Sequence, residues 1–157
     1  MIQIETGQTY SIPLSEGFAY ITDVNNWRYY WPNFVRIKDP TNAQWSKPGD
    51  AITLVLRLLD RERELNMVLE EYNPETLVAY VSRQTGLPDA HHERHFRAVP
   101  KGFEYRLAVT YAPRPGLAGL LDRSLVRRAV TQAAHKTIQN LDAIFKEWQP
   151  TLSTKGD

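Results

Sequence analysis

Over residues 126–148 the apolar and small side chains recur in steps of three and four: Val126, Val130, Ala133, Ala134, Thr137, Ile138, Leu141, Ile144, Phe145 and Trp148. At 100° per residue they form one stripe along a long helix, with Arg128, Gln132, His135, Lys136, Gln139 and Lys146 opposite. Such a helix is stable only when its stripe is buried on a large apolar surface. That surface has to come from the chain before it. The segments 51–59, 64–72, 77–82, 91–99 and 103–111 read as strands, separated by the turn-rich connectors LDRER, YNPET, TGLPD and PKG. Short links between consecutive strands make an antiparallel meander. The last strand is the clearest: Phe103, Tyr105, Leu107, Val109 and Tyr111 share one face, and Glu104, Arg106 and Thr110 the other.

The first fifty residues complete the plan. Residues 2–10 suit a first strand. A short helix starts at Pro13 or Ser15, packs Phe18, Ala19, Ile21 and Thr22, and is broken by Asp23 and two asparagines. A second helical turn carries the aromatic run NNWRYYWPNF and stops before Pro32. Residues 34–38 form a brief strand. The expected fold is α+β: a curved antiparallel sheet wrapped around a long C-terminal helix, with two short helices after the first strand closing one end. A chain of 157 residues fits a single domain, placed at 1–148, with a flexible polar tail at 149–157.

Composition removes several function classes. With 19 basic and 18 acidic residues, nothing calls for nucleic acid or an anionic surface as a whole-protein partner. The chain has no cysteine, which excludes disulfides, thiolate metal sites and a thiol nucleophile. The most apolar run, AITLVLRLL, contains Arg57 and is too short to span a bilayer, and the first residues lack a secretory pattern. A soluble cytoplasmic protein without stable membrane insertion is expected. No phosphate-cradling glycine loop, Ser-His-Asp order or metalloprotease motif occurs, so no cofactor is expected.

Particular stretches carry a family likeness. FAYITDVNNWRYYWP, GDAITLVLRLL, EEYNPETLVAYV, PKGFEYRLAVTY and GLLDRSLVRRAVTQAAHKTIQNLDAI resemble, in that order, segments of the START-related, birch-allergen-like superfamily (SRPBCC). The likeness is to its polyketide cyclase/dehydrase and lipid-transport branch and extends over about residues 10–148. It implies the helix-grip fold and a cavity between the concave sheet and the long helix. Members use that scaffold for lipid carriage, hormone sensing, quinone binding and aromatic cyclisation, so fold alone does not fix activity.

The residues indicate where such a cavity would lie. The helix stripe turns small at Ala133, Ala134 and Thr137, opposite Tyr105, Leu107 and Val109. With these, Tyr30, Phe34, Leu54, Leu56, Met67, Phe96 and Leu120 are expected to line a site for an apolar small molecule (lipid, isoprenoid or aromatic polyketide). Within the aromatic run, Trp27 and Trp31 are expected to anchor the early helices, and Tyr30 and Phe34 to reach the pocket. In HHERHF, parity with Phe96 turns His92 and Arg94 inward. With Tyr105 they are the catalytic candidates if the protein is a polyketide aromatase/cyclase or dehydratase. His91, Glu93 and His95 share the solvent face, where a metal set is a weaker reading than a wetted row of polar residues; no metal is expected. Projected along the same helix, Leu121 and Leu125 fall on the far side from the main stripe while Arg123 and Arg127 fall on it, which points to a bend near Ser124 within the leucine-rich residues 117–125. They also suggest a lid, or a transient membrane or protein contact. Three function classes remain: a binding protein, an enzyme of the cyclase type, and a protein-interaction module of the same fold.

Overall fold

The structure, a computed structural model, describes residues 1–58 and 60–153, with side chains described as far as Trp148. Seven strands form one antiparallel sheet: β1 (Ile2–Tyr10), β2 (Phe34–Ile37), β3 (Ala51–Leu58), β4 (Arg61–Asn73), β5 (Leu77–Arg83), β6 (Ala90–Val99) and β7 (Gly102–Tyr111). Their order is β1-β7-β6-β5-β4-β3-β2, so β3 to β7 form the expected meander and β1 closes onto its last strand. Register shifts at Leu69/Glu71 and at Phe34/Arg36 bend the sheet. Helices α1 (Leu14–Thr22) and α2 (Trp27–Tyr30) follow β1; α3 (Leu117–Leu121) and α4 (Arg127–Ser153) follow β7. This is the helix-grip fold.

The interior is divided. One half is filled by rings from distant segments: Tyr10, Phe18, Phe96, Phe103, Tyr105 and Phe145 are all buried. Tyr10 packs edge-on to Phe145 at 5.0 Å, and Phe18 edge-on to Phe96 at 4.9 Å. Gly17 makes that plug possible, since a Cβ there would collide with the Phe103 ring. The large end of the helical stripe, Leu141 and Phe145, lies in this half. Polar contacts fix α4 over the sheet: the Tyr10 hydroxyl donates to the Ile138 carbonyl at 3.0 Å, and Asn140 donates to the Tyr30 carbonyl at 2.9 Å.

Between α3 and α4 the expected bend is a π-helical turn, Asp122–Val126. It is held from within. The buried Asp122 carboxylate accepts from the Arg114 side chain and backbone, and the Tyr111 hydroxyl donates to the Asp122 carbonyl at 2.9 Å. The bend leaves Arg123, Arg127 and Arg128 in solvent, and it leaves the leucines there too: Leu117, Leu120, Leu121 and Leu125 are each half or more exposed. Helix α4 continues past Trp148 to Ser153, and the rest of the expected tail, residues 154–157, lies outside the described residues. Among the described residues no helix is long and apolar enough to cross a membrane.

Candidate functional site

The other half of the interior holds a cavity of about 270 Å³ between the sheet and the first half of α4. Its position follows from side-chain size along two elements. On β7, Phe103 and Tyr105 give way to Leu107 and Val109; on α4, Leu141 and Phe145 give way to Thr137, Ala134, Ala133 and Ala129. Where both faces are large the interior is filled, and where both are small it opens. Ala129 and Ala133 border the cavity and are exposed, so α4 forms one lip of its mouth.

The wall is mostly apolar, with one concentrated polar group. Alternation on β5 turns Tyr80 and Ser82 inward, Gln84 follows just past the strand's end, and alternation on β6 turns His92 and Arg94 inward. The register sets Tyr80 beside His92, where the two rings stack at 4.5 Å with planes 5° apart. Ser82 Oγ and His92 Nε2 share a hydrogen bond of 2.8 Å. Arg94 is only 8% exposed, and its guanidinium lies 5.0 Å from the centre of the Trp31 ring. Arg94 Nη1 donates to the Tyr30 hydroxyl at 3.3 Å, and Nη2 to the Tyr80 hydroxyl at 3.1 Å. The Tyr30 hydroxyl in turn donates to the Ile21 carbonyl.

Burial sets the protonation states. It pushes His92 down to about 3, helped by the positive charge of Arg94 and by His91, so the imidazole is neutral at pH 7. Burial pushes Tyr105 up to about 12 against the pull of Arg94, and raises Tyr30 as well, so these phenols stay protonated. Arg94 loses solvation, but the surrounding tyrosines favour its charge, and it stays a cation.

Of the residues expected around a ligand, Leu56, Leu107, Val109, Ala133, Ala134 and Thr137 border the cavity, as do His92 and Arg94. Others stand elsewhere. Leu54, Met67 and Phe96 are sealed in the packed core, and Tyr105 belongs to the aromatic plug, its hydroxyl close enough to feel Arg94 without reaching the cavity wall. Tyr30 is fully buried behind Arg94, and Trp31 takes the place on the wall. The cause is Pro32, which forces the preceding residue out of helical geometry (Trp31 φ −74°, ψ 122°) and swings its ring away from the turn. Phe34 faces a separate pocket with Val24 and Ile37, and Leu120 points into solvent because the π-helical turn is anchored through Asp122. The wall also includes Ser82, Gln84, Leu58, Leu65 and Val130, none of them expected from the sequence. Ser82 and Gln84 were accessible through parity with Tyr80.

On the outer face of β6, His95 and Glu93 pair at 2.9 Å, and His91 reaches Glu93 at 3.4 Å and Glu70 at 3.2 Å. These are half-exposed polar contacts. Among the described residues no group of three His, Cys, Asp or Glu side chains is placed to hold a metal ion.

Comparisons agree with this architecture. A search among curated proteins finds no match. Among solved structures the chain is similar to the Zhui aromatase/cyclase from Streptomyces sp. R1128, with a TM-score of 0.76, 12% identity and 94% of each chain covered. It is similar to TTHA0849 from Thermus thermophilus, with a TM-score of 0.74, 12% identity, and 93% and 98% covered. It is similar also to Ara h 8.0201, with a TM-score of 0.71, 14% identity, and 93% and 98% covered. At such identities these likenesses show the fold alone. The family model described as polyketide cyclase/dehydrase and lipid transport matches residues 1–146. The chain belongs to the polyketide cyclase/dehydrase and lipid transport family, a helix-grip family of the SRPBCC group.

Proposed function

We propose that the protein binds a hydrophobic small molecule in the cavity between the sheet and α4, and that binding, not chemistry, is its activity. The observation that carries this is the apolar cavity itself, held open where the stripe of α4 turns small. Its volume lies near the lower end of small-molecule sites, roughly 300–1,000 Å³. The cyclase alternative draws on Arg94, His92 and Tyr80 in the wall. It is the weaker reading because a base that removes a proton near neutral pH works best with a pKa near 7, and His92 is held far below that. The interaction-module alternative has no use for a cavity.

The leucines outside the mouth support a delivery surface. Four exposed leucines lie among Arg123, Arg127 and Arg128, and the only acid in that stretch, Asp122, is buried. An apolar ridge with a basic border is suited to transient contact with an anionic bilayer.

The test is native mass spectrometry of purified protein, followed by organic extraction. A co-purifying apolar compound is expected, and the variant Ala133→Phe, which fills the cavity from its lip, should fold and lose it. An extract without such a compound, together with no uptake of added apolar ligands, would sink the proposal.

A further inference from the structure

Arg94 is a buried cation with no anion. Its hydrogen-bond partners are the hydroxyls of Tyr30 and Tyr80, its Nε has none, and among the described residues it enters no ion pair. The acids around it are turned away: Glu93 of its own strand and Glu70 of β4 project from the opposite face and pair with His91 and His95, and Glu104 of the neighbouring β7 pairs with Arg97. Burying an uncompensated charge is strongly unfavourable, and phenol hydroxyls and ring faces recover only part of the loss. A neutral side chain would bridge two tyrosines without that penalty. The cation is therefore explained by an anion that arrives with the ligand.

We propose that the ligand is an apolar carboxylic acid whose carboxylate docks on Arg94 and the Tyr80 hydroxyl. This rests on the reading of the cavity as the ligand site. The donors are in place for it. A guanidinium has five N–H groups, and Arg94 commits two of them to the tyrosines. The Tyr30 proton is spent on the Ile21 carbonyl, whereas the Tyr80 oxygen only accepts, so its own proton is free to donate on the cavity wall. A carboxylate between an Arg94 Nη and Tyr80 would gain charge-assisted hydrogen bonds in a poorly solvated setting. Charge counting selects the class. His92 is neutral at pH 7, so the site holds one positive charge. A carboxylate cancels it, whereas a phosphate monoester, at nearly two negative charges, would leave a surplus against leucine and valine. Leu56, Leu107, Val109, Val130 and Ala133 receive the apolar body.

The full-length protein, stripped of bound compounds by organic extraction and refolded to its native spectrum, is titrated by calorimetry at pH 7.5 with two matched series. One is decanoate, decanol and decyl phosphate; the other is 2-naphthoate and 2-acetonaphthone. Each carboxylate is expected to bind at least tenfold more tightly than its neutral or phosphate counterpart. In Arg94→Met the carboxylates should lose that margin while the neutral compounds stay within threefold. The unliganded Arg94→Met protein should melt at a higher temperature than the parent. Arg94→Lys, which keeps the charge without the planar fork, should retain a reduced preference for the acids and stands in if the methionine variant does not fold. Neutral compounds binding as tightly as the acids would overturn the carboxylate assignment and leave the cavity reading intact, and so would a preference for the phosphate. Binding of no compound in either series would overturn the cavity reading and this inference with it.

Discussion

On the outer face of β6, His91, Glu93 and His95 stand in a row with Glu70 beside them, each side chain within 3.4 Å of a polar partner and all of them partly in solvent. On the inner face His92 and Arg94 stand among tyrosines, and no carboxylate answers them. The side-chain types overlap and the energetics are opposite. Water and partners make the outer row nearly free to keep, and mutually screened pairs of that kind add little stability. Inside, each polar group must be paired or it destabilises the fold. A cluster that persists at such a cost is better evidence of a site than a richer cluster in solvent.

The largest effect that would break this contrast is a pH effect. An unfolded histidine takes up a proton near 6.5, but His92 in the folded protein does so only near 3. Between those values the unfolded state binds more protons, so stability is fully present above about 6.5 and is lost as pH falls toward 3. Denaturant unfolding at pH 7 and pH 4 should show a loss from this residue of up to about 3 kcal/mol. His92→Gln, which can keep the bond to Ser82, should remove that part of the loss. An identical pH dependence in the variant would mean that His92 is solvated like the outer row.

How far the sequence reveals this depends on whether the determinant is local. Strand parity is local, so Phe96 alone turns His92 and Arg94 inward, and Ser82 follows from Tyr80 by the same rule. The stripe of α4 and its run of small residues are local as well. The division of the interior is not. The plug assembles Tyr10 of β1, Phe103 of β7 and Phe145 of α4, and no window contains all three. For that reason Phe96 and Tyr105 read as pocket residues until the packing around them is known. The exchange of Tyr30 and Trp31 is intermediate: the dihedral constraint of Pro32 is visible in the sequence, but the direction in which it swings the ring depends on where Arg94 lies.

The arginines offer a second comparison with a smaller effect. Arg123, Arg127 and Arg128 are solvated, so their charge needs no explanation, and the leucines among them do. If the ridge meets bilayers, the protein should sediment with vesicles of 3:1 phosphatidylcholine to phosphatidylserine, and less so as salt rises. The double variant Leu120→Glu, Leu125→Glu should weaken that binding by about tenfold or more, since it replaces buried apolar area with repelled charge. Because both positions are solvent-exposed in the free protein, its thermal stability should be unchanged. Unaltered vesicle binding would remove the bilayer from consideration.

The smallest expected effect is the sharpest control on the first comparison. Strand parity places Glu93 in one row with His91 and His95, and the hydrogen bonds from His95 and His91 hold its carboxyl below its ordinary pKa. A purely electrostatic ranking would give this paired carboxylate more weight than the unpaired Arg94. Solvent reverses that ranking. Glu93→Gln should change unfolding stability at pH 7 by no more than about 0.5 kcal/mol and leave the affinity for both ligand series untouched. A loss of ligand binding in this variant would show that the two faces of β6 are coupled, and that the outer row helps to set the charge felt inside.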